Sequence, residues 1–478
     1  YIYEIIAFVI YCNDPMTLVL RTNCIIKEIE MRKDHRITPL NIGIVGTGIA
    51  GMSAAWLLSK NHKVTVFEKD ERIGGHTNTV DLNGLGVDTG FIVYNVKNYP
   101  NLIALFEHLG VATQSTDMSF GVSVDQGQFE YSGGDLPGLF AQKSNLFRPR
   151  FWRMIKDILR FYREAPQALN DDALSEITLG EYLSDYGYSE PFQRDHLLPM
   201  GAAIWSTPVD TMLEYPLSSF LRFCDNHGLL QLSDRPEWRT VVGGSKEYIK
   251  YLTKDFKHEI QTNKSVEQIW SDDHGAYTKD RNGDVSRFDH VVMASHADQT
   301  LNMLRSPSSN ERELFSSFSY QANKAILHTD PSLMPKNKKA WSSWNYLSVQ
   351  DNGQDCVCVT YWMNKLQNLK TDTNYFVTLN PPKLPKEDTI LRSFIYQHPV
   401  FDNDAMASQR RLWELQGKHR LWFCGSYFGY GFHEDGLQSG LAVAEELGGA
   451  RRPWSVENES GRIHLPKNGS KHSILNAA

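Results

Sequence analysis

Asn41-Ile42-Gly43-Ile44-Val45-Gly46-Thr47-Gly48-Ile49-Ala50-Gly51 is the stretch on which the reading of this chain turns. Residues 42–45 are a short β-rich apolar run, and the glycines are followed by a helical stretch over 52–59. A second strand, Lys63–Phe67, ends in Glu68. Strand, G-x-G-x-x-G, helix, strand and acid, in that order, make a βαβ unit that binds a dinucleotide. Gly46 allows the tight turn, Gly48 lets the backbone approach a pyrophosphate, and Gly51 lets the helix pack closely on the sheet. The helix N-terminus, at Ile49 and Ala50, turns unpaired N–H groups toward the phosphate charge. Glu68 stands seventeen positions after Gly51. A carboxylate there accepts both ribose hydroxyls and repels a 2′-phosphate, which disfavours NADP.

Glu68-Lys69-Asp70-Glu71-Arg72-Ile73-Gly74-Gly75-His76-Thr77 then places a glycine pair shortly after the acid. It resembles the extended motif of the glutathione-reductase-like FAD proteins, whose glycine pair lets the chain run close to the cofactor. A simple turn would also use Gly74-Gly75, but Gly86-Val87-Asp88-Thr89-Gly90-Phe91 follows at the family's usual place. The resemblance implies FAD as cofactor and adds Lys69, Arg72, Gly74, Gly75, His76 and Thr77 to the residues around it. Farther on, Arg420-Leu421-Trp422-Phe423-Cys424-Gly425-Ser426 is an apolar strand closing on a glycine. Helical apolar spacing runs from Gly436 to Leu447 and stops at Gly448-Gly449. These pieces resemble the second FAD segment of the flavin amine oxidase and phytoene desaturase superfamily. The likeness implies that Gly425 and Ser426 approach the diphosphate and ribityl chain. It also implies that the helix N-terminus at Asp435, Gly436 and Leu437 faces the pyrimidine end of the flavin, where negative charge grows on reduction. A third piece, Ser265-Val266-Glu267-Gln268-Ile269 with residues 288–294, resembles the family's strand pair, Val266 standing against adenine.

The fold expected from this is α/β: a Rossmann-like FAD-binding domain of the glutathione-reductase type with an inserted α+β substrate-binding domain, the two-domain fold of the amine oxidases. Residues 40–110, 236–300 and 410–450 would form the FAD domain, and 111–235 and 301–409 the substrate domain. Residues 1–39 read as an N-terminal extension outside the fold. The apolar run 1–11 carries Glu4 and is too short to span a bilayer, and Met31 stands just before the first strand. A membrane-surface segment is the other reading of that run. Residues 451–478 are polar and read as a loose tail.

The resemblance covers nearly the whole chain after Asn41. Residues 327–330, 340–346, 359–364 and 431–436 are similar to a bacterial branch of FAD-dependent oxidoreductases known only as predicted NAD/FAD-binding or amine-oxidase-domain proteins. Lys324 stands where flavin amine oxidases place a lysine that holds a water against flavin N5; a surface lysine on a strand edge is the alternative. Phe432 takes the place of one of the two cage tyrosines, which keeps an apolar face, removes a phenol and puts a simple amine in doubt. His433 reads either as a proton acceptor near the flavin or as a packed histidine bonded to a backbone carbonyl. Among the aromatics of the substrate domain, which include Trp205, Trp344 and Tyr361, most are expected in the core. Trp344, Tyr361 and Phe432 are the candidates for the pocket wall.

Composition sets the outer limits. The chain has 478 residues with 41% apolar and 22% charged content, as in an ordinary globular protein. A net charge of -7 gives no electrostatic reason to expect nucleic acid. The six cysteines are scattered, and the one C-x-C pair, Cys356 and Cys358, has no His or Cys at metal spacing, so no metal is expected. A reduced, cytoplasmic chain follows, with peripheral membrane contact left open. No G-x-S-x-G, H-E-x-x-H or P-loop lysine motif occurs. The expected chemistry is hydride removal from a C–H bond of an apolar small molecule (lipid, fatty acyl chain or isoprenoid, an amine less so) to flavin N5. Oxygen or another electron acceptor then reoxidises the flavin. A non-redox flavoenzyme, isomerase or mutase, and a binding protein that has lost catalysis are the rivals.

Overall fold

The computed structural model describes residues 38–466, apart from 175–176, 206–210, 227, 231–235 and 352–353. The N-terminal run, the start at Met31 and the last residues of the tail lie outside the described residues, as does the side chain of Trp205.

Asn41–Val45 is buried along almost its whole length, as a central strand covered on both faces must be. It pairs in parallel with Lys63–Phe67 on one side and His290–Met293 on the other. Ile260–Gln261 and Leu421–Phe423 extend this five-stranded sheet at its two edges, both in parallel. Pieces far apart in sequence therefore bring their carboxyl ends to one edge, where Gly46, Glu68, Ala294 and Gly425 each fall just past a strand. In open parallel sheets that edge is where ligands bind.

The Ile49–Leu58 helix is buried throughout, because it lies between the sheet and a second helix, His433–Glu446. Glycines let the two helices touch backbone to backbone. A Cβ on Gly436 would come 2.9 Å from Ile49 Cγ2, and one on Gly440 would overlap the Ala50 carbonyl. The helix N-termini consequently sit side by side.

The other large layer is a seven-stranded sheet joining 120–132 to 319–400, antiparallel except where Phe120–Val124 runs alongside Trp344–Asp351. One face packs through Ala325, Leu327, Val359 and Val377 onto Val80 and Val87 of the hairpin over 79–88. A helical layer with Pro149–Ala168, Leu179–Asp185 and Leu217–Asn226 closes around Phe151, Phe161, Phe192 and Phe220. No helix among the described residues is long and apolar enough to cross a membrane.

The tail departs from expectation. Where described, it packs instead of hanging loose. Trp454 stacks on Trp56 at 5.8 Å, Ile463 is buried, and Arg452, also buried, bonds Glu445 and Asn101. Its polar composition hid these anchors because Trp454 and Arg452 find Trp56 and Asn101 only once the chain has folded.

Candidate active site

The cradle starts at Gly46, whose φ of +109° and tight contact with the Ala294 carbonyl both exclude a side chain. A Cβ on Gly51 would overlap the Gly46 carbonyl. Gly48 is different. Its φ of -64° is ordinary, and a Cβ there would meet nothing within 4 Å. Nothing in the protein's own packing demands that glycine, so the space in front of it fits a ligand that approaches the backbone. Gly75, at φ +57°, lies against Gly48, and a Cβ on it would come 3.0 Å from Gly48 Cα. Arg72 stitches this loop together by donating to the carbonyls of Thr77 and Gly75, each at 2.8 Å. Lys69 is exposed.

Glu68 is buried and occupied. It accepts from Thr47 N at 3.2 Å, from the Thr47 hydroxyl, and from Asp70 N at 3.0 Å. Thr47 Oγ1 also accepts from Gly74 N at 3.1 Å, so the acid braces both glycine loops. Lys264 N donates to the Glu68 carbonyl, which brings Val266, two residues on and buried, toward this end of the cradle. Opposite, Gly425 is tied by its N–H to Ser439 Oγ at 3.0 Å, and Ser426 opens a short turn.

His433 joins Thr77 through a residue the sequence did not single out. Tyr248 Oη lies 2.6 Å from His433 Nε2 and 2.6 Å from Thr77 Oγ1. Phe91 stacks on the His433 ring at 3.8 Å. Enclosed this way, His433 is pushed down to about 3 by burial and stays neutral. Its ring is held by a phenol, not by a backbone carbonyl. A second cluster gathers beside the glycine loop: His76 lies 5.6 Å from His398 and 6.1 Å from His296. Burial, helped by the neighbouring imidazoles, pushes His76 down to about 3, and burial takes His296 to about 4. His76 Nε2 and His296 Nδ1 are buried with no hydrogen-bond partner. An open glycine cradle beside buried, unpartnered polar nitrogens fits a dinucleotide cofactor.

The first turn of the His433 helix carries two fully buried acids, Glu434 and Asp435. Burial raises both carboxyls, and each is answered. Asp435 is gripped by Arg462 at 2.6 and 3.1 Å and accepts from Phe432 N at 2.7 Å. Glu434 caps the Pro100–Leu109 helix by accepting from Asn101 N and Leu102 N at 3.1 and 3.0 Å. Gly436 and Leu437 follow, buried against the first helix. Asp88, from the 86–91 segment, is another buried acid. It accepts from Ser245 N and Oγ and from Gln367 Nε2, and burial lifts it to about 7. It ties the Gly243-Gly244-Ser245 turn to Gln367, which ends the short Met363–Leu366 helix.

A cleft opens beside the His433 helix between Tyr215, Ser219, Phe223, Phe401, Met406, Tyr430 and Phe432. Phe432 stacks on Phe223 at 5.3 Å, and the Arg462 guanidinium lies 5.6 and 5.8 Å from the Tyr430 and Phe432 rings. Trp344 and Tyr361 do not line this cleft. They meet edge to face at 4.9 Å because their strands place them opposite each other on the face packed against the 79–88 hairpin. Lys324 is not brought to the His76 cluster either. It is exposed, on the strand face that also carries Ile395, while its neighbour Asn323 points the other way and bonds His398 at 3.0 Å. Alternation along a strand allows only one of the two to face the cradle. No group of three or more His, Cys, Asp or Glu among the described residues is placed to hold a metal.

The family model described as "Flavin containing amine oxidoreductase" matches residues 49–448. Among curated proteins, the chain is 26% identical over 156 residues to "Probable polyamine oxidase 4" of Arabidopsis thaliana, covering 32% of this chain and 30% of that protein. It is 36% identical over 72 residues to the 4,4'-diapophytoene desaturase of Staphylococcus haemolyticus, covering 15% and 14%. The matched part thus spans less than a third of these relatives. Among solved structures, cyclohexylamine oxidase from Brevibacterium oxydans superposes with a TM-score of 0.62 at 16% identity, covering 86% of this chain and 99% of that one. A fatty acid isomerase from P. acnes superposes at 0.60 and 15%, covering 85% and 97%. At these identities the likeness shows the two-domain fold.

Proposed function

The chain belongs to the flavin-containing amine oxidoreductase family, and from that premise we propose that it removes a hydride from a C–H bond of an apolar substrate such as a lipid, a fatty acyl chain or an isoprenoid. The observation that carries the substrate class is the wall of the cleft: apart from Ser219 its lining is aromatic or apolar, and it holds no carboxylate. A cationic amine needs a free anionic anchor, and the carboxylate behind Tyr430 and Phe432, Asp435, is already taken by Arg462. Phe432 and Phe223, stacked on each other, instead form an apolar wall of the cleft.

Bound FAD supplies the acceptor for the hydride. The chain's own part is positioning. The Gly46–Gly51 loop and Glu68 would hold the adenosine and pyrophosphate, and the His433 helix would present its N-terminal N–H groups. Tyr248 fixes His433 in place, so that this imidazole orients the site and carries no charge of its own. We assign the cofactor side to 40–110, 236–300 and 410–450, and the substrate side to 111–235 and 301–409.

Anaerobic mixing of the purified yellow protein with lipids, isoprenoids and amines tests the proposal. Bleaching by a lipid or isoprenoid, with the amines inert, is expected. Bleaching by amines alone overturns the substrate class. A product formed without net bleaching in the presence of air-free flavin identifies isomerase chemistry. Recovery of colour in air names oxygen as acceptor.

A further inference from the structure

The Pro149–Ala168 helix already meets its packing needs through Phe151, Met154, Ile158, Phe161 and Ala165, which form one buried stripe. Its outer face should then be polar. It is not. Trp152 is 47% exposed and Leu159 49%, and just ahead of the helix Phe147 is 87% exposed. Leu136, 71% exposed, joins them through Phe140, whose ring lies 6.2 Å from Trp152. The Trp152 indole donates to the Leu146 carbonyl at 2.9 Å, so the polar end of that ring is satisfied while the ring itself faces outward. Large apolar side chains grouped on one outer face mark a contact surface.

Charge identifies the partner. Lys143, Arg153 and Lys156 surround these residues, all exposed and without an ionic partner among the described residues. Arg160 and Arg163 share the single carboxylate of Glu164. The other acid of the helix, Asp157, is turned inward and accepts from Ser189 N at 2.9 Å. In a chain of net charge -7 this is a local cationic face with protruding aromatics. We propose that this face docks the protein on a bilayer surface rich in anionic lipid. Apolar side chains then enter the boundary of the acyl region while lysine and arginine meet the headgroups. The Leu217–Asn226 helix, which carries Ser219 and Phe223 of the cleft, belongs to the same helical layer. Passage of substrate from bilayer to cleft rests on the proposed function; docking itself does not.

Flotation of the full-length holoprotein with vesicles tests this. Binding is expected to vesicles of phosphatidylcholine with phosphatidylglycerol, weaker to phosphatidylcholine alone, and falling as salt is raised. Phe147→Ser with Trp152→Ser should lower partition by about tenfold or more. Arg153→Glu with Lys156→Glu should remove the preference for phosphatidylglycerol. All four side chains are exposed, so FAD content and melting temperature should stay at wild-type values in both pairs. Wild-type protein that does not float, or variants that float like wild type, overturns the proposal. So does self-association without lipid that these same substitutions abolish, because a second copy would then cover the face.

Discussion

The turn that opens the His433 helix and the outer face of the Pro149–Ala168 helix show two ways of building a site. In the first, Glu434 and Asp435 are fully buried and each is met by directional donors from Asn101, Leu102 or Arg462. In the second, aromatic side chains stand in solvent beside cations with no fixed partner. A buried charge is tolerated only in one geometry, whereas apolar contact is non-directional. The cradle should therefore break under single substitutions, and the helical layer should absorb them.

Arg462→Met should have the largest effect. It strands the Asp435 carboxylate in the interior, and breaking a buried pair in this way costs about 3–5 kcal/mol. Denaturant unfolding measures it. Adding Asp435→Asn should recover much of the loss, since the double variant no longer buries a lone charge. A single variant as stable as wild type would mean that the tail does not brace the helix.

Two glycines separate packing from ligand binding. Gly440→Ala would push a methyl into the Ala50 carbonyl and the Ser53 hydroxyl, and forced overpacking costs about 1–3 kcal/mol. Gly48→Ala enters open space and should leave apoprotein stability within about 0.5 kcal/mol. It should nevertheless lower FAD retention on gel filtration, because the methyl occupies the approach to the pyrophosphate. Equal FAD retention in Gly48→Ala and wild type would remove the Gly48 cradle from the cofactor's path.

The same contrast explains what could be read in advance. The cradle was legible because its glycines, Glu68 and the strand ends obey short-range spacing, and the parallel register of Asn41–Val45 with its neighbours follows from that. Tyr248 was missed because nothing local distinguishes it from a core tyrosine; its role exists only once His433, 185 residues away, arrives beside it. Arg462 was hidden for the same reason, inside a stretch that looked loose. The aromatics expected at the pocket wall separate by strand face and by distant partners, which composition alone does not order. Trp344 and Tyr361 pack inward, and Phe432 finds Phe223 in the cleft.

Acid should dismantle the cradle before the helical layer. His76, His296 and His433 lie around the cradle and are held at about 3, 4 and 3, against 6.5 in the unfolded chain. Between those values the unfolded state binds more protons, so stability rises with pH across roughly 4 to 6.5 and is lost on acidification through that window. Asp88, raised to about 7, acts oppositely: its contribution is present at low pH and fades as pH rises through 7. Glu434 and Asp435, which burial also raises, act in the same sense as Asp88, while His398, lowered by burial, joins the three imidazoles; the prediction is that the imidazoles carry the balance. Flavin fluorescence should therefore appear at a higher pH than the loss of helical circular dichroism. Coincident transitions would show that cradle and layer unfold as one unit.

Lys324→Met should have the smallest effect, and it tests the strand alternation directly. Asn323 and Lys324 point to opposite faces, and Asn323 is the one joined to His398 and, at 2.7 Å, to Asn380. With the Lys324 amine exposed and outside the His76 cluster, the substitution should change the rate of flavin reoxidation, whichever acceptor serves, by less than about twofold. Asn323→Leu, which removes the His398 contact from the cradle side, should slow turnover more than Lys324→Met does. The reverse order would place the cofactor's reactive edge on the Ile395 face of the strand. The exposed surface around Lys324 and Ile395 would then be the substrate side of the site, and the division between a rigid cradle and a permissive layer would have to be drawn through the seven-stranded sheet itself.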